Sequence, residues 1–209
     1  MDELDVSQRN MSDPNYPSHH DEFKKQVEDS GGYSSHLGFT GGPSFVYRFC
    51  NRYRLAKAFT GLGLDGYSAS TVSGYSGLAG VFLTWSAFEL FCSITSLSQY
   101  DQPAKMDHGQ LTALRLRILA LDTSAVFLDF LKSKANASLK GRIEAFETGD
   151  VLMTPFVAAA IRHIFGHGHL SAHPKGADPA NISALCEQLR SFLLAFMDQR
   201  FTSLVGGKG

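Results

Sequence analysis

Residues 71–97 read TVSGYSGLAGVFLTWSAFELFCSITSL. Apolar side chains recur there at Val72, Tyr75, Leu78, Phe82, Trp85, Phe88, Phe91 and Ile94. Steps of three and four put them along one face of a helix, so the spacing predicts a long helix with a buried stripe. Glu89 falls four residues after Trp85, on or beside that stripe. A carboxylate near a core face is costly unless paired. Glu89 is therefore expected to meet a cation or a hydrogen-bond donor, unless it lies at the edge of the stripe and reaches solvent.

The same period continues outward from this segment. Beyond the break Asp101-Gln102-Pro103, Leu111 to Lys132 reads as a second long helix through Leu114, Ile118, Leu121, Phe127, Leu128 and Leu131. A short helix follows with Leu139, Ile143 and Phe146, then a turn at Gly149-Asp150. Leu152 to Phe165 is an Ala-rich helix that tolerates Pro155 in its first turn. Asp178-Pro179 is an N-cap with proline at the first helical position. It opens a last helix with the stripe Ile182, Leu185, Leu189, Phe192 and Phe196, which Gly206-Gly207 ends. On the N-terminal side, Phe45, Phe49, Leu55 and Phe59 share a helical face loosely, and Gly61 and Gly63 stop that helix. No segment alternates with period two. The expected fold is an all-α bundle of four to six helices.

The 209 residues are 44% hydrophobic and 19% charged, with a net charge of −1. This composition is globular, and no global field drives the chain onto nucleic acid or an anionic membrane. No apolar run approaches the ~20 uninterrupted residues of a bilayer span, so no membrane is expected among the partners. The polar, acidic start MDELDVSQRN resembles neither a secretory signal nor a transit peptide. Cys50, Cys92 and Cys186 are odd in number and widely spaced. Cys92 and Cys186 fall inside apolar helical patterns, where a free thiol behaves as a small hydrophobe. A disulfide framework or zinc ribbon is not expected, and a reducing cytoplasm fits this usage.

Residues 1–43 carry eight acidic and three basic side chains, a charge of −5, which leaves +4 on the remaining 166. Rich in Ser, Gly, Pro and Asp, they read as a disordered tail ahead of a helical domain over 44–209. The tail is either a solvated leader or an arm that folds over a basic groove in competition with nucleic acid. Arg48, Arg52, Arg54 and Lys57 decorate the first helix of the domain. Such a run is either a solvated face or a nucleic-acid contact. Arg48, Arg52 and Lys57, with Lys175, are the candidate RNA-binding residues.

The chemistry concentrates in Ile161-Arg162-His163-Ile164-Phe165-Gly166-His167-Gly168-His169-Leu170-Ser171-Ala172-His173-Pro174, which holds four of the eight histidines. Gly166 and Gly168 bracket His167 and favour helix exit. A break there would let His167 fold back beside Arg162, which an unbroken helix keeps apart at about 140°. Three readings stay open. His163, His167, His169 and His173 could bind zinc, although no Cys or Glu accompanies them. The histidines could simply complement a helix terminus. Or a titrating imidazole and a permanent guanidinium fork could form an acid/base and phosphate-binding pair.

Arg162, His163 and His167, at a helix end in an all-α context, resemble the signature of the HEPN domain (higher eukaryotes and prokaryotes nucleotide-binding). That signature is an arginine, commonly followed by Asn, Asp or His, then a histidine after four to six residues. The continuation His167-Gly168-His169-Leu170 and the acidic helix Trp85-Ser86-Ala87-Phe88-Glu89 are also similar to bacterial members. The resemblance spans roughly Thr71 to Leu204. It implies a HEPN-like bundle, metal-independent endoribonuclease activity without a cofactor, and a homodimer whose two motifs face one cleft. It assigns His167 as general acid/base and Arg162 as phosphate ligand, with His163, Glu89 and His169 in support. RNA would be the substrate, attacked by its own 2′-hydroxyl to give a 2′,3′-cyclic phosphate. At family level it also implies a toxin–antitoxin or phage-defence setting, with an antitoxin or regulatory partner. Some toxin members carry a tyrosine two residues after the motif histidine, which a partner nucleotidyltransferase modifies. Here that position is His169, so silencing by that route is not implied. Other members are non-catalytic nucleotide- or RNA-binding modules, and that alternative stands, as do a metal-binding helical protein and a helical interaction protein unrelated to RNA.

Overall fold

A computed structural model describes residues 13–207 of the chain. It is all helical, with eight α-helices and no strand among the described residues. The helices are α1 (His20–Asp29), α2 (Pro43–Ala58), α3 (Ala69–Ile94), α4 (His108–Leu121), α5 (Val126–Lys134), α6 (Ala137–Thr148), α7 (Pro155–Gly166) and α8 (Pro179–Gly206). The all-α class is as expected; the count exceeds the expected four to six.

The axis of the molecule is the α3–α8 pair, which makes the most extensive helix–helix contact. Ser68 caps α3 by accepting from the Thr71 N–H, and Asp178 caps α8 by accepting from the Ala180 N–H, with Pro179 in the first turn. The two helices approach closely because α3 presents glycine to its partners. A Cβ on Gly77 would lie 2.9 Å from Ser183 Cα, and one on Gly74 would lie 2.9 Å from Ala172 Cβ. Leu78, Val81, Trp85, Phe88 and Phe91 of α3 meet Leu185, Leu189, Leu193 and Met197 of α8 in the same buried core. α3 is also the one helix among the described residues long and apolar enough to cross a membrane. Its Gly, Ser and Thr residues interrupt the apolar run without making the helix polar. Its surface packs against α2, α7 and α8.

Two expectations about the elements need correction. The helix expected over Leu111–Lys132 is two helices, α4 and α5. Ala125 adopts a left-handed conformation at φ 54°, and the Asp122 carboxylate accepts from the Phe127 and Leu128 N–H groups at 3.1 and 2.8 Å. A carboxylate on free N–H groups at a helix start restarts the chain in a new direction. The apolar steps run through this break, which conceals it.

The second correction concerns the tail. Residues 1–12 lie outside the described residues, but residues 13–43 are part of the fold. Phe23, Val27, Leu37 and Phe39 are buried in the common core, with Phe23 and Phe39 edge-on at 5.7 Å and both against Phe201 of α8. Ser18 donates to Asp198 through its N–H and its hydroxyl, at 2.6 and 2.9 Å. Asp13 pairs with Arg54 at 2.6 Å. Burying several aromatic side chains contributes several kcal/mol, enough to order a polar segment that has no period of its own.

Cys50, Cys92 and Cys186 are free and buried. Burial pushes the Cys50 and Cys92 thiols up to about 12 and raises Cys186 as well, so they are unreactive core side chains.

Candidate functional site

The C-terminal end of α7 carries the histidine-rich stretch, and its geometry follows from how the helix stops. The helix does not break before Gly166. It runs through that residue and ends in a Schellman motif: the Gly168 N–H donates to Phe165 O at 2.9 Å and the His169 N–H to Ile164 O at 3.0 Å. Gly168 takes φ 73°, the left-handed position that glycine fills without strain. Because the helix is intact, residues four apart share a face. The His163 and His167 rings meet edge to face, 4.6 Å between centroids and 71° between planes. This corrects the expectation that His167 folds back beside Arg162; its neighbour is His163.

Glu89 lies at the edge of the α3 stripe, 37% exposed, and has both of the expected kinds of partner, a cation and a hydrogen-bond donor. Arg162 Nη2 donates to Glu89 Oε2 at 3.1 Å, and the Trp85 indole N–H donates to Glu89 Oε1 at 3.2 Å. The two ionic side chains are 38% and 37% exposed, so the pair contributes only about 0–1 kcal/mol to stability. Its consequence is positional: α3 fixes the guanidinium at the mouth of a cleft. Arg162 Nε is buried without a hydrogen-bond partner. His163 lies beside it, and burial, then His167, then Arg162 hold its pKa below the ordinary histidine value. The imidazole is therefore mainly neutral at pH 7 and able to accept a proton.

The cleft has a volume of about 160 Å³. Arg162, His163, Glu89 and Trp85 line it together with side chains that no motif indicated, chiefly Tyr100, Asn136, Arg142 and Phe156. The Arg142 guanidinium carbon lies 4.4 Å from the Tyr100 ring centroid and 4.2 Å from that of Phe156.

The chain matches no protein-family model, no curated protein and no solved structure. Its chemistry is therefore read from its own geometry.

The remaining candidates lie elsewhere. His167 and His169 are exposed past the end of α7 and do not line the cleft. The His173 ring shares a hydrogen bond with the Thr71 hydroxyl at 3.0 Å, away from the His163–His167 pair. Among the described residues no three His, Cys, Asp or Glu side chains gather as a metal-binding group. Arg48, Arg52 and Lys57 sit on α2, not at the cleft. Arg48 lies over Phe45 at 5.3 Å, Arg52 donates to Ser86 at 3.2 Å, and Lys57 lies over Tyr53 at 5.6 Å. Lys175 is in the turn before α8 and acts on Asp129 of α5. None of these four cations lines the cleft with Arg162.

Proposed function

We propose that the chain is a HEPN-like, metal-independent endoribonuclease. Arg162 holds the scissile phosphate, and His167 transfers protons with His163 orienting it. The RNA 2′-hydroxyl gives up its proton and attacks phosphorus. The P–O5′ bond breaks, the leaving 5′-oxygen takes a proton, and the products are a 2′,3′-cyclic phosphate and a 5′-hydroxyl end. No cofactor enters, because RNA supplies the nucleophile and the protein supplies proton transfer and charge stabilisation. Two copies joined about a two-fold axis through the exposed ends of α7 would add a second imidazole and a second guanidinium to the same phosphate. Arg48, Arg52, Lys57 and Lys175 are then outlying contacts to the RNA backbone.

The observation that carries this reading is the state of Arg162. It is anchored by one carboxylate through Nη2 and is 38% exposed at the cleft, on the helix whose end holds two imidazoles in contact. One observation favours a second reading, a non-catalytic nucleotide-binding module: His167 lies outside the cleft that Arg162 lines.

The test is cleavage of a structured RNA in EDTA by the wild type and by His167→Ala. Turnover in the variant is expected to fall by at least ~10²-fold with RNA affinity little changed. Cleavage by His167→Ala at the wild-type rate, in a preparation free of contaminating nuclease, would overturn the proposal. Binding of RNA without cleavage by the wild type selects the second reading.

A further inference from the structure

The cleft beside Arg162 carries more than an arginine–histidine pair requires. At about 160 Å³ it falls below the roughly 300–1,000 Å³ of pockets for drug-sized ligands. It encloses only part of a nucleotide, and the rest would lie over the exposed Tyr100 ring.

Its lining is of two kinds. Tyr100 stacks on Phe156 of α7, with 5.9 Å between centroids and 18° between planes. Tyr100 is 54% exposed, so the stack has an open end. Arg162 and His163 line the cleft further along α7. Arg142 of α6 lies over both aromatic rings, and its own hydrogen bond is a weak one to Met153 Sδ at 3.9 Å. Two guanidinium groups thus line a cleft with one carboxylate, Glu89, and that carboxylate already accepts from Trp85 and Arg162. Asn136 uses its Oδ1 to cap α6 through the Leu139 N–H, which leaves its amide N–H₂ to donate. An aromatic platform, two guanidinium forks and a free amide match a planar base joined to a phosphate.

The geometry points to a mononucleotide subsite in this cleft: an unpaired base stacks on Tyr100 and its phosphate sits between Arg142 and Arg162. This rests on the ribonuclease reading and deepens it. A base can reach Tyr100 only when it is out of a helix, so the preferred substrate is an unpaired nucleotide in a loop, bulge or end.

Trp85 is the only tryptophan of the chain and lines the cleft, so its fluorescence reports occupancy directly. The experiment titrates the full-length protein with AMP, UMP and inorganic phosphate, following Trp85 emission and confirming by calorimetry. Saturable binding of a nucleoside monophosphate is expected, at least about tenfold tighter than phosphate, as base stacking on an aromatic ring allows. Tyr100→Ala should remove most of that preference and leave phosphate affinity unchanged, while Tyr100→Phe retains it. Arg142→Ala and Arg142→Lys should both weaken the monophosphate about tenfold, since lysine lacks the planar fork. Thermal melting of each variant separates these effects from loss of fold. Equal affinity for phosphate and monophosphate in the wild type, or an unchanged preference in folded Tyr100→Ala, would overturn the subsite. RNA cleavage without saturable mononucleotide binding would overturn the subsite alone. Mononucleotide binding without cleavage would overturn the ribonuclease reading alone.

Discussion

Arg190 and Arg162 both pack against α3, yet they use their N–H groups in opposite ways. Arg190, 17% exposed, donates to the carbonyls of Ala56, Lys57 and Phe59 at the end of α2 and to Glu187. Arg115 does the same at the end of α6, donating to the carbonyls of Phe146 and Glu147, both at 2.7 Å. The last carbonyls of a helix have no partner within it, and these arginines supply one. Arg162 gives one hydrogen bond, from Nη2 to Glu89, and is 38% exposed. Arg142 leans on two rings and a sulfur. A fully engaged arginine closes the fold. An arginine with donors to offer, held at a cleft, is the feature that suits an anion.

Arg190→Ala therefore breaks the structural half of the comparison. It leaves three backbone carbonyls at the end of α2 without their donor. A loss on the order of 2–4 kcal/mol is expected in denaturant unfolding. A change below about 0.5 kcal/mol would show that water replaces the guanidinium at no cost, and the contrast with Arg162 would disappear.

Acid unfolding sharpens the comparison from a third region. His20 is buried against Tyr16, with Tyr47 edge-on and Lys24 and Asp21 beside it. Burial, then Lys24, lower its pKa to about 4, against about 6.5 in an unfolded chain. The folded state then binds fewer protons between these values. The stability due to neutral His20 is complete above pH 6.5 and is lost as the pH falls towards 4, on the order of 2–3 kcal/mol in all. His20→Phe keeps the stack and removes the titration, so its pH–stability curve should be flatter across that window. An unchanged slope would assign the acid sensitivity to other groups.

Glu89→Gln and Arg162→Ala give the smallest effect on stability. Each is expected to shift the unfolding free energy by about 1 kcal/mol or less, because the pair is more than a third exposed. Glu89→Gln should nevertheless lower RNA turnover, since the guanidinium loses its anchor. A loss of stability as large as that of Arg190→Ala would make Arg162 a second structural arginine.

The sequence announced some of this and concealed the rest for identifiable reasons. α3 and α8 are legible because apolar steps of three and four persist from Val72 to Ile94 in one and from Ile182 to Phe196 in the other. Glu89's need for a partner is legible because a carboxylate beside a core face is costly alone, whereas Arg162 as that partner follows only from the family resemblance. α1 is not legible, because only His20, Phe23 and Val27 are buried in its ten residues and its stability comes from Phe39 and Phe201. The break at Ala125 was hidden by apolar residues on both sides of it. Arg142 and Tyr100 gave no signal. One is a polar residue of a short helix and the other lies in an irregular loop, and their role arises only where Phe156 of α7 meets them. Two glycines bracket His167 and nothing in the sequence distinguishes them; the left-handed turn falls at Gly168, so His167 stays at the end of the helix beside His163.

Whether Arg162 serves a phosphate or the fold is decided by Arg162→Lys, measured for RNA turnover in EDTA and for unfolding on the same preparation. Lysine keeps the charge and loses the planar fork. Turnover is expected to fall by at least ~10²-fold, with an unfolding free energy within about 1 kcal/mol of the wild type. Wild-type turnover by Arg162→Lys, or a loss of turnover that merely follows a loss of folded protein, would overturn the phosphate role.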